Sequence, residues 1–337
     1  MRTPAPSLVP SRAPARRYAL AGLALAALAC LATAPAAAEA TYPSKPITIV
    51  VAYPPGGSTD LMGRMLGTEL SSRLGQPVVI ENIGGAGGAI GAAKVAVAQP
   101  DGYTLLVGAS NELAINKLVT KKVRYDIKDF TAIGLIASQP LVLVASPASG
   151  VKNAADFVQR VAKSPGKYSY GSSGVGTSLH LAGEMLKDQG KLFMTHIPYR
   201  GVAPLTNDLV GNNLEYGVFV LSSGLPHIKS GKVIALGTTE AKRSPLTPDI
   251  PALAELPQFK NVDIGVWFAL MAPAQLPKPV YDKLRKALVD TLQSAEFRKK
   301  MEATGSVVAS PAVDTDKYIA SEIAKYQKIV QFAKIEE

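Results

Sequence analysis

Residues 47–74 decide the fold, and they read ITIVVAYPPGGSTDLMGRMLGTELSSRL. The apolar, β-branched run at 47–52 is typical of a buried strand. The segment PPGGSTD at 54–60 continues neither a strand nor a helix, because its prolines and paired glycines interrupt both. Beyond it, apolar residues recur at helical spacing through 61–74, and Gly75 ends the pattern. The stretch therefore predicts a strand, a glycine turn and a helix.

A second unit of the same kind lies further along the chain. Residues 168–187 read YSYGSSGVGTSLHLAGEMLK, in which a short strand again runs through a glycine turn into a helix. Hydroxyl side chains that can cap a helix stand at both helix starts. We predict Ser58 or Thr59 as the first cap and Thr177 or Ser178 as the second. Two such units facing each other would place two helix N-termini around one cleft.

Short apolar runs and amphipathic helices alternate through the rest of the chain, which favours an α/β fold with largely parallel sheets. One long stretch, 133–146, contains two apolar runs that we expect to be separated at Gln139-Pro140. Late helices are indicated around Leu284 and Ile323. Further strands are predicted at 78–81, 103–107, 195–199, 214–220, 233–238 and 262–271.

The two glycine turns favour an anionic ligand. Gly56, Gly57, Gly174 and Gly176 leave room for backbone N–H groups to approach a ligand, and each turn leads into a helix N-terminus with its partial positive charge. Asp60 suits the first turn of the first helix for the same electrostatic reason. Hydroxyl donors are predicted from Ser58, Thr59, Ser172, Ser173 and Thr177. Valine at Gly57 or Gly176 is expected to abolish binding and leave the fold intact. The alternative of tight turns with ordinary caps stays open here.

Two enzymatic alternatives lack their motifs. Dinucleotide and phosphate loops need G-x-G-x-x-G or G-x-x-x-x-G-K-[ST], and neither glycine turn supplies one. Ser173 and His180 lie close in sequence, as a hydrolase would need, but no G-x-S-x-G elbow is present. The other histidines, His196 and His227, form no short metal-ligand pair. The sequence therefore predicts a protein that is not an enzyme and that needs no metal or cofactor.

Residues 1–38 predict a secretory signal peptide. A start with four arginines is followed by an uncharged, alanine- and leucine-rich segment that ends in a small-x-small site. Cleavage is expected after Ala38 or Ala40, and the mature chain is expected to be exported. A retained transmembrane anchor is one alternative, and a lipoprotein cleaved before Cys30 is the other. Cys30 is the only cysteine, so the mature chain would contain no disulfide.

Composition bounds the class of protein. The 337 residues are 47% hydrophobic and 18% charged, which is typical of a globular chain with two domains. The formal net charge is +10, but aromatic residues are only 6% and no basic run is interleaved with them, which argues against nucleic-acid binding. A positive excess attracts anionic ligands. The only tryptophan, Trp267, is expected to pack structurally.

An ordered series of motifs resembles the Bug-type extracytoplasmic solute receptors, the binding proteins of tripartite tricarboxylate transporters. The resemblance runs from about residue 42 to about residue 333, nearly the whole mature chain. The motifs are YPSKPI at 42–47, PPGGSTD at 54–60, GQPVV at 75–79, PDGYTL at 100–105, YGSSGVGT at 170–177, HLAGE at 180–184, HIPYRG at 196–201 and LPHI at 225–228.

This resemblance implies a type II periplasmic-binding-protein fold, in which two α/β lobes are joined by a hinge of two crossings. The first lobe is discontinuous and comprises 41–141 and 265–337, and the second lobe comprises 142–264. The hinge crossings are expected near 138–142 and 263–268. In such receptors the two glycine turns hold a ligand carboxylate between the lobes as the hinge closes.

The resemblance also implies a monomeric receptor that passes its ligand to membrane subunits of a tripartite tricarboxylate transporter. Alternatives are a receptor that feeds a signalling partner, such as a sensor kinase, and a small-molecule hydrolase. Asn111 is predicted as a polar contact from a third loop, with a turn or cap residue as the alternative. The complete predicted ligand-binding set is Pro55, Gly56, Gly57, Ser58, Thr59, Asp60, Asn111, Ser172, Ser173, Gly174, Gly176, Thr177 and His180.

One departure from the family pattern narrows the ligand. Many members carry an Asp-Asn pair after the strand that matches 214–219, where this chain has Val220-Leu221. In amino-acid-binding members an acidic group there can meet the ligand ammonium. We therefore expect a dicarboxylate, tricarboxylate or aromatic carboxylate without an amine.

Overall fold

The computed structural model describes residues 1, 3–5, 42–333 and 335. Pro43–Glu337 form one compact unit, which contains both glycine turns. The predicted signal peptide, with Cys30 and both predicted cleavage sites, lies outside the described residues except for 1 and 3–5. Among the helices that are described, none combines the length and the apolar character needed to cross a membrane.

Strands and helices alternate along the described chain. The strands are β1 (Ile47–Val51), β2 (Val78–Asn82), β3 (Thr104–Ala109), β4 (Phe130–Ala145), β5 (Ser169–Ser172), β6 (Thr195–Pro198), β7 (Tyr216–Val220), β8 (Ile234–Thr238), β9 (Gly265–Pro273) and β10 (Val307–Val308). The α-helices are α1 (Ser58–Leu74), α2 (Ala89–Ala96), α3 (Asn116–Val119), α4 (Ala154–Ala162), α5 (Ser178–Gln189), α6 (Val202–Val210), α7 (Leu221–Lys229), α8 (Lys278–Gln293), α9 (Ala295–Glu302) and α10 (Thr315–Ala333). A π-helical turn, Asn111–Ile115, follows β3, and 3₁₀ turns lie at Ala86–Gly88, Ile127–Asp129, Pro147–Ser149, Leu253–Glu255 and Pro257–Phe259.

The strands form two sheets that share β4. In the first sheet, β1 pairs in parallel with β2 and β3, while β9 runs antiparallel between β3 and the first part of β4, and β10 adds to β4. In the second sheet, the last part of β4 pairs antiparallel with β7 and β8, and β5 pairs in parallel with β6 and β7. Both sheets are mixed, so the prediction of largely parallel sheets was wrong. Every antiparallel pair includes β4 or β9, because these two long strands run in the opposite direction to each strand that they pair with.

The strand β4 also passes Pro140 without a break, contrary to the prediction. Pro140 lies opposite Gly265 at the last pair of the β9 ladder, and the next residue, Leu141, already pairs with Val220 of β7. The N–H group of Leu141 donates to Thr239 Oγ1 at 3.2 Å. Proline supplies no ladder N–H group, and here it stands where the strand changes partners, so little pairing is lost.

The glycine turns form as predicted, but their caps differ from each other. Helix α1 has Gly57 as its N-cap, with extended backbone angles and no side-chain cap bond, so the prediction of a Ser58 or Thr59 cap was wrong. Both hydroxyl residues have already entered the helix. At α5 the prediction is confirmed, because Thr177 is the N-cap and its Oγ1 accepts the N–H group of His180 at 3.4 Å. Asp60 lies in the first turn of α1, also as predicted.

The two sheets have continuous apolar interiors, and one large aromatic residue lies close to where β4 changes sheets. Trp267 on β9 pairs with Ser138 of β4 and is 1% exposed. Its ring packs edge-on against Tyr318 of α10 with centroids 5.8 Å apart, which confirms its structural role. The lobe boundaries at 141/142 and 264/265 remain a prediction.

Candidate functional site

Four strands of the two sheets end around one small cavity of about 50 Å³, which we call the inner cavity. The residues that follow β1, β3 and β5 line it, together with the last residue of β7. Leu179 of α5, Val266 of β9 and the start of α6 complete the wall. Ligands of open α/β sheets bind beyond the carboxyl ends of the strands, so this position fits a binding site.

A larger cavity of about 950 Å³ adjoins the inner cavity, and we call it the outer cavity. It adds the glycine-rich loop at 84–89, the segment around 119–123, and Gly174 with Val175 from the second turn. The residues that line both cavities are Tyr53, Pro54, Pro55, Ser173, Arg200 and Gly201. A ligand group in the inner cavity can therefore belong to a molecule that extends into the outer one.

The first glycine turn, residues 54–60, is held by a buried carboxylate. Asp60 Oδ2 accepts the backbone N–H of Gly56 at 3.0 Å and the Nε–H of Arg64 at 3.0 Å. Its Oδ1 accepts the side-chain amide of Asn82 at 2.9 Å. Burial alone would raise the pKa of the Asp60 carboxyl, but these hydrogen bonds from Arg64, Gly56 and Asn82 lower it from its ordinary value. Asp60 is therefore ionised, and its carboxylate holds the turn through these hydrogen bonds.

The second glycine turn, residues 172–177, is held by two imidazole rings instead. His180 Nδ1 accepts the backbone N–H of Gly176 at 3.1 Å. His196 Nε2 lies 2.7 Å from Ser172 Oγ, and that oxygen in turn accepts the backbone N–H of Gly174 at 3.2 Å. The two rings stack with centroids 3.8 Å apart.

Both imidazoles are kept neutral by their surroundings. Burial lowers the pKa of His180 to about 4, although Glu184 nearby opposes the shift. Burial also lowers the pKa of His196 to about 3, and the adjacent His180 ring adds to the effect. A neutral His180 is required by the geometry, because Nδ1 can accept the Gly176 N–H group only while it carries no proton.

A hydrogen bond reaches across the cleft between the sheets. Asn111 Oδ1 accepts the backbone N–H of Ser178, the first residue of α5, at 2.8 Å. Gly201 also lies close to the first glycine turn, because a Cβ atom added to it would be 3.5 Å from Pro54 Cγ. Asn111 therefore already uses one of the N–H groups at the helix end that the sequence assigned to a ligand.

The structure brings together about half of the predicted binding residues. Lining one or both cavities are Pro55, Gly57, Ser58, Thr59, Asn111, Ser173 and Gly174. Outside both linings lie Gly56, Asp60, Ser172, Gly176, Thr177 and His180. The contacts described for the second group are with the protein, and they stabilise the two turns.

Several lining residues were not predicted. Tyr53 precedes the first glycine turn, and Arg200 and Gly201 follow β6. Sequence features that could have indicated these residues were present. Tyr53 directly follows the apolar run at 47–52, and Arg200-Gly201 belongs to the HIPYRG motif. What the sequence lacked was the spatial order of the strands, which places the end of β6 opposite the end of β1.

The described lining of both cavities contains cationic side chains and no carboxylate. Arg200 lines both cavities, and Lys122 lines the outer one. Val220, at the position where a binding site for an ammonium group would need an acid, lines the inner cavity and is 4% exposed. The charges of this described wall thus favour an anion and offer no carboxylate to an ammonium group.

Two sheets that share long crossing strands, with a cavity between glycine turns at their strand ends, define a binding protein of the periplasmic type. Residues 62–335 match the profile of the family described as "Tripartite tricarboxylate transporter family receptor". The match covers more than half of the chain, and the chain belongs to this family. The prediction of a Bug-type receptor is confirmed.

Similar proteins agree with this assignment. The protein BugT of Bordetella pertussis is 34% identical over 304 residues, covering 88% of this chain and 92% of BugT. The solved periplasmic binding protein BugD is 33% identical with a TM-score of 0.82, over 88% of this chain and 99% of BugD. A structure of Rpa4515 from R. palustris with adipate is 30% identical with a TM-score of 0.84, over 88% and 99% of the two chains. The fold is therefore that of the periplasmic binding proteins, as predicted.

Proposed function

We propose that this chain is a periplasmic receptor that captures a small carboxylate without an amine and delivers it to the membrane subunits of a tripartite tricarboxylate transporter. The observation that carries the proposal is the inner cavity, where two glycine turns meet and where Arg200 is the one ionised side chain among the described lining residues. The solved relative with adipate supports a carboxylate ligand. We propose the periplasm because of the family and the predicted signal peptide.

The size of the inner cavity supports one carboxylate group rather than a whole ligand. A cavity of about 50 Å³ accommodates only a few water-sized groups. Ser58, Thr59 and Ser173 offer hydroxyl donors there, and the N-terminus of α1 adds its partial positive charge. The remainder of the ligand extends past Arg200 into the outer cavity, where Lys122 offers a second cation.

The ligand-binding role of each residue is part of the proposal. We assign direct contact to the seven predicted residues that line the cavities and a supporting role to the six that lie outside both linings. Closure of the hinge at the β4 and β9 crossings would bring both turns onto the ligand, so binding energy from both sides favours the closed form. A receptor that feeds a signalling partner would use the same cleft and the same ligand chemistry.

A ligand panel tests this function directly. Thermal shift and calorimetry on the purified mature chain should show one-to-one saturable binding of at least one carboxylate among adipate, malate, citrate and benzoate, with no product formed. Glutamate and aspartate should not bind, because Val220 replaces the acid that an ammonium needs. Stabilisation by the amino acids alone, or turnover of any ligand, would contradict the proposal.

A matched pair of variants locates the ligand. Arg200→Ala should weaken binding of an anionic ligand by about tenfold, because it removes the cation from the junction of both cavities. Arg124→Ala is the control, since Arg124 is exposed and lies outside the linings of both cavities. Equal affinities of the two variants would place the ligand elsewhere.

A further inference from the structure

A buried carboxyl group lies directly behind the inner cavity. Glu112 belongs to the π-helical turn that follows β3 and is 2% exposed. Its Oε1 accepts the backbone N–H of Ala109 at 2.7 Å, and its Oε2 accepts the hydroxyl of Tyr53 at 2.9 Å. Within the described part of the chain no ion pair reaches this carboxyl. Buried acids without a cation are rare, so Glu112 calls for a functional explanation.

The partners of Glu112 all reach the ligand side of the wall. Ala109, Tyr53 and Asn111 line the inner cavity, whereas Glu112 does not. The Tyr53 oxygen accepts Nδ2–H of Asn111 at 2.9 Å, and Asn111 Oδ1 accepts the N–H of Ser178 across the cleft at 2.8 Å. One chain of hydrogen bonds therefore runs from Glu112 through the cavity wall to the opposite side.

We propose that Glu112 is a positioning residue of the binding cleft, which fixes Tyr53 and Asn111 in the closed arrangement and makes capture of an anionic ligand depend on pH. This inference rests on the proposed carboxylate function. Glu112 itself touches no ligand. It acts through the orientation of the Asn111 amide and through its own charge.

The hydroxyl of Tyr53 has one proton and two acceptors within reach. They are Glu112 Oε2 at 2.9 Å and the backbone oxygen of Gly87 at 3.0 Å, in the loop that lines the outer cavity. While Glu112 is ionised, the proton points to the carboxylate, the stronger acceptor. When Oε2 carries a proton, the acid donates to the Tyr53 oxygen, and the Tyr53 proton moves to Gly87. The second lone pair of Tyr53 still accepts from Asn111 in both states.

The charge of Glu112 couples this change to the ligand. Burial raises the pKa of Glu112 to about 7, although hydrogen bonds from Ala109 and Tyr53 oppose the shift. A ligand carboxylate in the inner cavity adds a like charge on the other side of Tyr53 and Asn111, which raises the pKa of Glu112 further. Linkage is reciprocal, so binding takes up a proton and ligand affinity falls as the pH rises through neutrality.

The titratable side chains nearest to Glu112 are two tyrosines whose pKa values lie above their ordinary range. Tyr53 faces it from the end of β1, and Tyr125 donates its hydroxyl to the Glu112 backbone oxygen at 2.7 Å. The pKa of Tyr53 is raised well above its ordinary value by burial and by Glu112, and burial raises the pKa of Tyr125 as well. The other titratable side chains on helices packed against the π-turn are Lys94 of α2, Lys117 of α3, and Asp316, Lys317, Tyr318, Glu322, Lys325, Tyr326 and Lys328 of α10.

Calorimetry with adipate as the probe tests the coupling. Titrations at pH 7 in two buffers of different ionisation enthalpy measure the protons taken up on binding. The wild-type protein should take up a fraction of a proton and lose affinity by about fivefold or more between pH 6 and pH 8. Glu112→Gln should take up none and show a flat profile. Equal proton uptake by both proteins, or none by the wild type, would overturn the proposal.

Two further variants separate coupling from folding. Tyr53→Phe keeps the ring and removes the link to Asn111, so it should lower adipate affinity at every pH while Glu112 still titrates. Glu240→Gln is the control, because burial also raises the pKa of Glu240 but this residue lies outside both cavity linings. It should retain the proton uptake and the affinity of the wild type.

A ligand-free measurement distinguishes failure of this inference from failure of the proposed function. Because the pKa of Glu112 lies above its ordinary value of 4.5, the folded protein binds more protons than the unfolded chain between about pH 4.5 and 7. The free energy of unfolding of the wild type, relative to Glu112→Gln, should therefore fall as the pH rises through that window. If adipate and the other carboxylates do not bind, the proposed function fails. An identical pH dependence of both ligand-free proteins rejects the role of Glu112.

Discussion

The first glycine turn is held by a charged side chain and the second by neutral rings. Asp60 gathers hydrogen bonds from Gly56, Arg64 and Asn82, whereas the second turn is held by the stacked pair His180 and His196. Both arrangements leave glycine backbone facing a cavity. The comparison shows that two similar glycine turns are held by different electrostatics, an ionised carboxylate in the first and neutral imidazole rings in the second. We expect the two turns to respond differently to mutation and to pH.

Valine at the turn glycines should separate the two turns most strongly. Gly57 has φ −86°, and a Cβ atom added there would have no other atom within 4 Å, so Gly57→Val should fill the cavity and abolish ligand binding. Its cost in the free energy of unfolding should not exceed about 1 kcal/mol, because only a poorer N-cap opposes it. Gly176 has φ +71°, and its Cβ would lie 2.7 Å from Val119 Cγ2. Gly176→Val should also abolish binding, but at a cost of about 1–3 kcal/mol in stability. Calorimetry with urea unfolding measures both effects.

This difference in backbone revises the expectation that both valine variants leave the fold intact. The sequence identified both glycines, but the left-handed backbone of Gly176 depends on how the turn joins β5 to α5. Equal stabilities of the two variants would contradict the difference between the turns. A Gly176→Ala variant with wild-type stability would do so as well, because alanine at positive φ is also strained.

Removing the charge of Asp60 should weaken the first turn alone. Asp60→Asn keeps the size of the side chain but loses the charge-assisted hydrogen bonds to Arg64 and Gly56 at a site that is 4% exposed. We expect a loss of about 1–3 kcal/mol in the free energy of unfolding. Glu296→Gln is the control, since its ion pair with Lys300 is exposed and should contribute within about 0.5 kcal/mol. A loss for Asp60→Asn no larger than that of the control would show that the carboxylate does not hold the turn.

Acid should affect the second turn before the first. The folded-state pKa values of His180 and His196, about 4 and about 3, lie below the ordinary value of 6.5, so the unfolded chain binds more protons in that window. Their contribution is complete above pH 6.5 and is lost progressively as the pH falls toward their folded-state pKa values. The lowered pKa of Asp60 acts only below its ordinary value of 3.8. Urea unfolding from pH 7 to 5 should therefore show a slope that is reduced in His196→Phe and unchanged in Asp60→Asn.

The parts of the fold that the sequence predicted are those that local chemistry determines. The run at 47–52, the glycine turn and the stop at Gly75 specify their own conformations, and the structure has a strand, a turn and a helix there. The passage of β4 through Pro140 could not be predicted locally, because it depends on β9 and β7 being available as successive partners.

The candidate site, like the fold, could be predicted from the sequence only where local chemistry determines it. Glycine and hydroxyl residues identified both turns, but their spacing could not tell which side chains face the cavity. His180 belongs to the predicted ligand-binding set, and in the structure its Nδ1 accepts the backbone N–H of Gly176. Glu112 carried no motif, and its position behind Tyr53 arises from contacts between residues 59 positions apart.

The smallest predicted difference between the turns concerns their caps. Thr177 caps α5 with its side chain, so Thr177→Ala should cost about 1 kcal/mol. Ser58→Ala at the other helix should change the free energy of unfolding by less than about 0.5 kcal/mol, because Gly57 caps α1 without a side-chain bond. Ser58 lines the inner cavity, so its loss should appear in ligand affinity instead, whereas Thr177 lies outside both linings. A Ser58→Ala variant that unfolds more easily yet binds adipate normally would reverse this division, and with it the distinction between residues that hold the turns and residues that meet the ligand.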